Sequence, residues 1–116
     1  MAGYFELKPS GEQFMFNLKA GNHEVILTSE RYASKQGAQG GIESVKKNAA
    51  DDARYQRKTA SNGSPFFVLT AANGEALGRS EMYASTASME GGIASVKANA
   101  TTASTKDLTA QDKPAR

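Results

Sequence analysis

Hydrophobic and polar positions follow two periodicities along this chain, and the pair occurs twice in the same order. Phe14, Phe16 and Leu18 alternate with Met15, Asn17 and Lys19, the period of two that gives a strand two distinct faces. Tyr4 to Lys8 reads as a strand before it, separated by the breakers Pro9 to Glu12, and Val25 to Thr28 reads as a strand after the turn residues Gly21 and Asn22. Short turns between three strands predict an antiparallel meander. Ala38, Ile42, Val45 and Ala49 then recur at helical spacing, placing one apolar stripe on a helix that covers the sheet. Ser34 or Lys35 marks its start, Lys46 and Lys47 suit the carbonyl end of its dipole, and Asn48 is read as a left-handed terminator.

The same signals return downstream. Phe66 to Leu69 is the alternating strand, Asn73-Gly74 predicts a type I′ hairpin, and Met89, Ile93, Val96 and Ala100 form the second stripe, with Ser85 or Thr86 at the start, Lys97 near the end and Asn99 as terminator. Sliding the chain on itself by about 51 residues aligns Tyr4 to Ala50 with Tyr55 to Thr101 without a gap, and about 20 of 47 positions coincide. The first repeat is read as residues 1–54 and the second as 55–109. Units this small bury too little apolar surface alone, so the two are expected to share one core as a single domain. Arg54 to Thr59 closes the first unit and opens the second, Lys106 to Thr109 is its counterpart by offset, and residues 110–116 are expected to be a disordered tail. The pairs Gly40-Gly41 and Gly91-Gly92 would each weaken a helix, by about 1 kcal/mol per glycine relative to alanine, so at least one of each pair is expected to face the sheet and permit close approach.

Composition removes several chemistries. Without cysteine there are no disulfides, thiolate nucleophiles or thiolate metal sites, and a cytosolic location is expected. Nothing approaches the roughly 18 apolar residues of a membrane span, so no membrane partner is expected. The net charge of +2 is spread thinly, giving little support to a broad nucleic-acid surface.

The single histidine, His23, faces Gly74 in the repeat and is read as a solvated turn residue. The serines have no other histidine to activate them, no nucleophile elbow occurs, and Gly37 to Gly41 matches neither a phosphate loop nor a dinucleotide fingerprint. Acids repeat at Glu24 with Glu75 and at Glu30 with Glu81, each alone in its copy, while Asp51-Asp52 lies in the linker. No catalytic, metal or cofactor-binding residues are therefore assigned. The polar set held in both copies is Ser29, Glu30, Tyr32 and Ser34 with Ser80, Glu81, Tyr83 and Ser85, directly before each helix. Free N–H groups there could hold a small anion, or the set could simply build the strand-to-helix connection. Arg54, Tyr55, Arg57 and Lys58 surround a ring with positive charge, a local arrangement able to grip and stack a single strand.

Gly3-Tyr4-Phe5-Glu6-Leu7, Phe14 to Ala20, Ser29-Glu30-x-Tyr32 and the twin Gly-Ile-x-Ser-Val-Lys segments resemble the YegP family, also called the DUF1508 or UPF0339 family. The resemblance implies tandem β(3)-α-β units forming one α+β pseudo-dimer, with a single antiparallel sheet, two helices on one face and last strands exchanged between halves. It implies no biochemical activity, because the family comprises small bacterial proteins of uncharacterised function. The expected function is a non-enzymatic binding or interaction module, monomeric or weakly self-associating. The alternatives are nucleic-acid binding through Arg54 to Lys58 and small-anion or metabolite binding at the duplicated helix starts.

Overall fold

The computed structural model describes residues 3–109; the tail expected at 110–116 lies outside the described residues. Seven strands form one sheet: β1 (Tyr4–Ser10), β2 (Gln13–Lys19), β3 (Val25–Ser29), β4 (Tyr55–Thr59), β5 (Pro65–Thr70), β6 (Ala76–Arg79) and β7 (Ser104–Asp107), in the order β4-β5-β6-β3-β2-β1-β7. Helix α1 (Lys35–Asn48) follows β3, helix α2 (Thr86–Ala100) follows β6, and a one-turn 3-10 helix at Asp52–Arg54 leads into β4. The predicted meanders are present in both repeats. Phe5, Leu7, Phe16, Leu18 and Leu27 line one face of the first repeat, and Tyr55, Phe67 and Leu69 continue it in the second. The stripes Ala38, Ile42, Val45, Ala49 and Met89, Ile93, Val96, Ala100 pack on that face in one cluster drawing on both halves. Each helix reaches across the molecule, α1 touching β1, β2, β5 and β6, and α2 touching β1, β3 and β5.

β3 and β6 meet antiparallel at the centre, where Thr28 pairs with Arg79, its own counterpart 51 positions on. A pseudo-twofold axis therefore passes through that pair. The symmetry is imperfect in register. Phe5 lies opposite Leu18, yet Tyr55 lies opposite Leu69, so β1 and β4 correspond at an offset of fifty, one less than the rest of the repeat. The gapless alignment thus needs an extra residue in the β4–β5 turn. Strand periodicity demands it, since a one-residue slip would turn Tyr55 outward and Gln56 into the core. Parallel contacts agree: Phe5 and Tyr55 each meet the next strand's phenylalanine edge-on, at 5.8 and 5.7 Å, and Lys46 and Lys97 lie over their rings.

The exchange of last strands occurs on one side only. β7 of the second repeat lies parallel to β1 of the first, Tyr4 opposite Ser104 and Leu7 opposite Asp107, the one parallel pair among the described residues of an otherwise antiparallel sheet. It begins two residues before the offset predicted, and Leu108 follows it, donating its N–H to the Leu7 carbonyl at 2.8 Å. The first repeat's closing segment is β4 itself and cannot also pair with β4.

Two local expectations are corrected. Asn48 and Asn99 do not end the helices in a left-handed conformation; positive φ outside glycine occurs only at His23 among the described residues. Their amides clamp the helix ends instead. Asn48 bonds the Ser44 carbonyl and accepts from Arg54, while Asn99 bonds the Ser95 carbonyl and accepts the Gly3 N–H at 2.9 Å. The Asn73-Gly74 turn is not type I′, because Gly74 alone has positive φ and Asn73 uses its side chain to accept the Glu75 N–H.

Candidate functional site

The duplicated Ser-Glu-x-Tyr-x-Ser segments are built the same way. Ser29 Oγ is buried, accepts the Phe16 N–H at 2.8 Å and donates to the Glu30 carbonyl at 2.7 Å; Ser80 does the same for Phe67 and Glu81 at 3.0 and 2.7 Å. Both serines fill hydrogen-bonding positions left open where the strand ladders end. The Tyr32 ring stacks on Phe16 and the Tyr83 ring on Phe67, and each phenol lies against the helix where Gly41 or Gly92 has no side chain. The inner glycine of each pair is the close-approach position expected, and Gly40 and Gly91 are exposed. Ser34 and Ser85 cap the helices by accepting the N–H groups of Gly37 and Ser88.

One repeated acid comes into place across the halves. Burial, then Glu30, then Glu75 of the other repeat hold the Tyr32 phenol above its usual pKa; burial, Glu81 and Glu24 do so for Tyr83. The acids that stand apart in sequence are neighbours in the fold. Each phenol therefore has two carboxylates near it, one from each repeat, and their field opposes an anion beside the ring.

Arg54, Tyr55, Arg57 and Lys58 are not brought together as one binding surface. Tyr55 is 5% exposed, and its hydroxyl donates to the Ala49 carbonyl at 2.6 Å. Burial, followed by the Asp52 charge, pushes its phenol well above the usual range. Its ring has no free face for a base. Arg57 bonds Glu90 at 2.6 and 3.1 Å and Asp52 at 3.0 Å, and Lys97 reaches the same Asp52 oxygen at 2.7 Å. Arg54 is held by Asn48 and Asp51. Lys58 alternates with Arg57 and so points to the opposite face of the sheet.

Among the described residues that opposite face carries no helix. At its centre, on the pseudo-twofold axis, Met15, Thr28, Ser29, Glu30, Arg31 and Arg79 line an open depression of about 610 Å³. The Thr28 hydroxyl is held by Asn17 at 3.0 Å, and no carboxylate lies within ion-pairing distance of Arg31 or Arg79 among the described residues. Residues kept in both repeats do not reveal this site, because its arginines are where the copies differ: Arg31 matches Met82, and Arg79 matches Thr28. Towards the β7 edge, exposed His23 shares a 3.0 Å hydrogen bond with the Tyr4 hydroxyl. Among the described residues no three His, Asp or Glu side chains are grouped to hold a metal ion, and no helix is long and apolar enough to cross a membrane.

Comparison with known proteins bears directly on this arrangement. The family model described as "Domain of unknown function (DUF1508)" matches residues 10–56 and again 60–107. A UPF0339 protein of Bordetella pertussis is 68% identical over 109 residues, covering 94% of this chain and 98% of its own. The UPF0339 protein YegP of Escherichia coli is 57% identical over 110 residues, covering 94% and 100%. The solution structure of a UPF0339 protein from Shewanella oneidensis superposes with a TM-score of 0.90 at 50% identity, covering 100% of this chain and 99% of that one. The solution structure of Escherichia coli YegP, a protein of unknown function, gives 0.88 at 57% identity over 94% and 95%. With two family matches in tandem and relatives alike along almost their whole length, this chain belongs to the YegP family of DUF1508, or UPF0339, proteins.

Proposed function

We propose that this protein is a non-enzymatic binding module that takes an anionic group on the uncovered face of its sheet. The observation that carries the reading is the pair Arg31 and Arg79, two guanidiniums without carboxylate partners among the described residues, beside one depression on the pseudo-twofold axis. Planar N–H forks suit carboxylate and phosphate oxygens, and Met15 offers an apolar surface beside them. Glu30 in the lining favours a ligand that also presents a hydrogen-bond donor. The polar sets before the helices support this reading less well as ligand sites, because their serines are engaged in backbone bonds and two carboxylates act on each phenol.

The test is an amide chemical-shift titration with inorganic phosphate, sulfate, small dicarboxylates and mononucleotides. Shifts centred on Thr28, Arg31 and Arg79 are expected. Arg31→Met and Arg79→Thr copy the other repeat at each position, and each should weaken binding about tenfold or more by removing a charged hydrogen bond. Shifts confined to Gly37 and Ser88 would move the site to the helix starts, and no shifts from any of these ligands would reject the reading.

A further inference from the structure

The pseudo-twofold symmetry relates β1 and β4, but their outer edges differ. β1 is paired with β7 in parallel over Tyr4 to Leu7, whereas β4 ends the sheet. The same comparison identifies the groups left open. Phe67 donates its N–H to Ser80 Oγ and accepts the Ser80 N–H on its carbonyl, so its backbone faces β6 and its neighbours Phe66 and Val68 face β4. In an antiparallel ladder the groups of opposing residues alternate together. Gln56 and Lys58, opposite Val68 and Phe66, thus bond to β5, and Tyr55, Arg57 and Thr59 face outward. Leu7, which corresponds to Arg57, shows the same outward direction by accepting the Leu108 N–H. The Tyr55 N–H is taken by the Asp52 carbonyl. The Arg57 and Thr59 N–H groups and the Tyr55, Arg57 and Thr59 carbonyls remain along the edge. Thr59 also stands where β1 has Pro9, which has no N–H to offer, so β4 presents as many open N–H groups as β1 does at Phe5 and Leu7, displaced by two residues along the edge.

We propose that the β4 edge is a docking site for an extended, acidic segment of a partner protein, which adds to the sheet in parallel with β4 as β7 adds to β1. The polarity comes from β7, the strand seated on the symmetry-related edge. The chemistry comes from charge: β4 carries Arg57 and Lys58, one on each face, and no acid. The same charges disfavour a second copy, because antiparallel pairing of two β4 strands would set Arg57 and Lys58 of one near those of the other. In the free protein Arg57 is folded back onto Glu90 and Asp52. An acidic side chain on the incoming strand replaces Glu90 as the partner of Arg57, and one on the other face meets Lys58. Backbone bonds supply affinity, and two adjacent acids, one on each face, supply selectivity. This site is separate from the arginine depression, which lies on the face of the sheet and not along its edge.

The probe is the peptide acetyl-Thr-Val-Glu-Glu-Val-Thr-amide, whose adjacent glutamates point to opposite faces of an extended strand, carrying a nitroxide at its N-terminus in a second sample, titrated into the full-length protein at low salt. Expected are shifts and slowed hydrogen exchange at Arg57 and Thr59, with broadening strongest near Tyr55, as a parallel strand requires. A peptide with lysine in place of both glutamates should bind at least tenfold more weakly. Arg57→Pro removes the edge N–H and should abolish binding; Arg57→Leu keeps that N–H, copies Leu7, and should retain binding with reduced preference for acid. Unchanged shifts of the residues remote from β4 are the check that each variant folds. The proposal fails if the lysine peptide binds equally well, if broadening centres on Thr59, or if Arg57→Pro binds like the parent. It fails equally if β4 signals do not respond at millimolar peptide, or if they move with protein concentration as a dimer forms.

Discussion

Substituting alanine at Gly40 and at Gly41, one position apart on α1, separates helix propensity from tertiary contact. Either change improves the helix by about 1 kcal/mol, because glycine surrenders more backbone freedom on folding than alanine does. At Gly40 a new Cβ meets nothing within 4 Å, so the gain is kept. At Gly41 it collides with the Tyr32 hydroxyl, lies 2.6 Å from the phenol ring carbon Cζ and comes within 3.0 Å of Phe16. Tyr32 is wedged between α1 and the Phe16 ring, 6.1 Å away and nearly parallel, so it cannot withdraw without losing that stack. Overpacking of this kind costs about 1 to 3 kcal/mol. The shared propensity gain cancels between the variants, leaving Gly40→Ala more stable than Gly41→Ala by about 1 to 3 kcal/mol. With a urea slope of about 1 to 3 kcal/mol/M, the unfolding midpoints should differ by roughly 1 M. The second repeat provides an internal replicate at Gly91 and Gly92, where the collision is with Tyr83. Equal stabilisation by both members of either pair would refute the claim that the inner glycine exists to admit the tyrosine.

Other consequences follow from packing and titration. Ile42→Ala and Ile93→Ala should each lose about 2 to 5 kcal/mol in denaturant melts, since both side chains are about 2% exposed; losses below about 1 kcal/mol would place these faces outside the core. Ser29→Ala leaves the buried Phe16 N–H unpaired and should cost about 1 to 3 kcal/mol by the same assay, a penalty Ser29→Thr avoids if the hydroxyl keeps its place. Lys35, followed by Thr109, holds the Asp107 carboxyl down to about 2. Because the folded value lies below the unfolded one of about 3.9, this contribution is complete above about pH 4 and is lost as pH falls through about 2. Hydrogen exchange at Leu108, whose N–H bonds Leu7, should quicken across that interval relative to β2, and Asp107→Asn should remove the difference.

The sequence alone determined the elements. Two periodicities, two stripes and capping serines located three strands and a helix in each repeat, because burial on one face leaves a period that local reading detects. It also marked the inner glycines, since a costly residue placed twice inside a helix implies a contact. Other features depended on the other half of the chain. No local pattern shows that Glu75 sits by Tyr32, that Asn99 holds Gly3, or that β7 lies on β1, for these meet only when the repeats close around the axis. The register change at β4 was faintly legible: an offset of fifty pairs Phe5 with Tyr55, Glu6 with Gln56 and Lys8 with Lys58, but the identity of Tyr4 with Tyr55 drew the alignment the other way. The Arg54 to Lys58 segment illustrates the limit most clearly. Its composition suits a nucleic-acid grip, and alternation in a strand sends Tyr55 and Arg57 to one face and Lys58 to the other, where core burial and ion pairs consume the first two. The site on the open face was hidden for the converse reason. Repetition preserves what both halves need in order to fold, whereas Arg31 and Arg79 are single-copy features that become neighbours only through the pairing of β3 with β6.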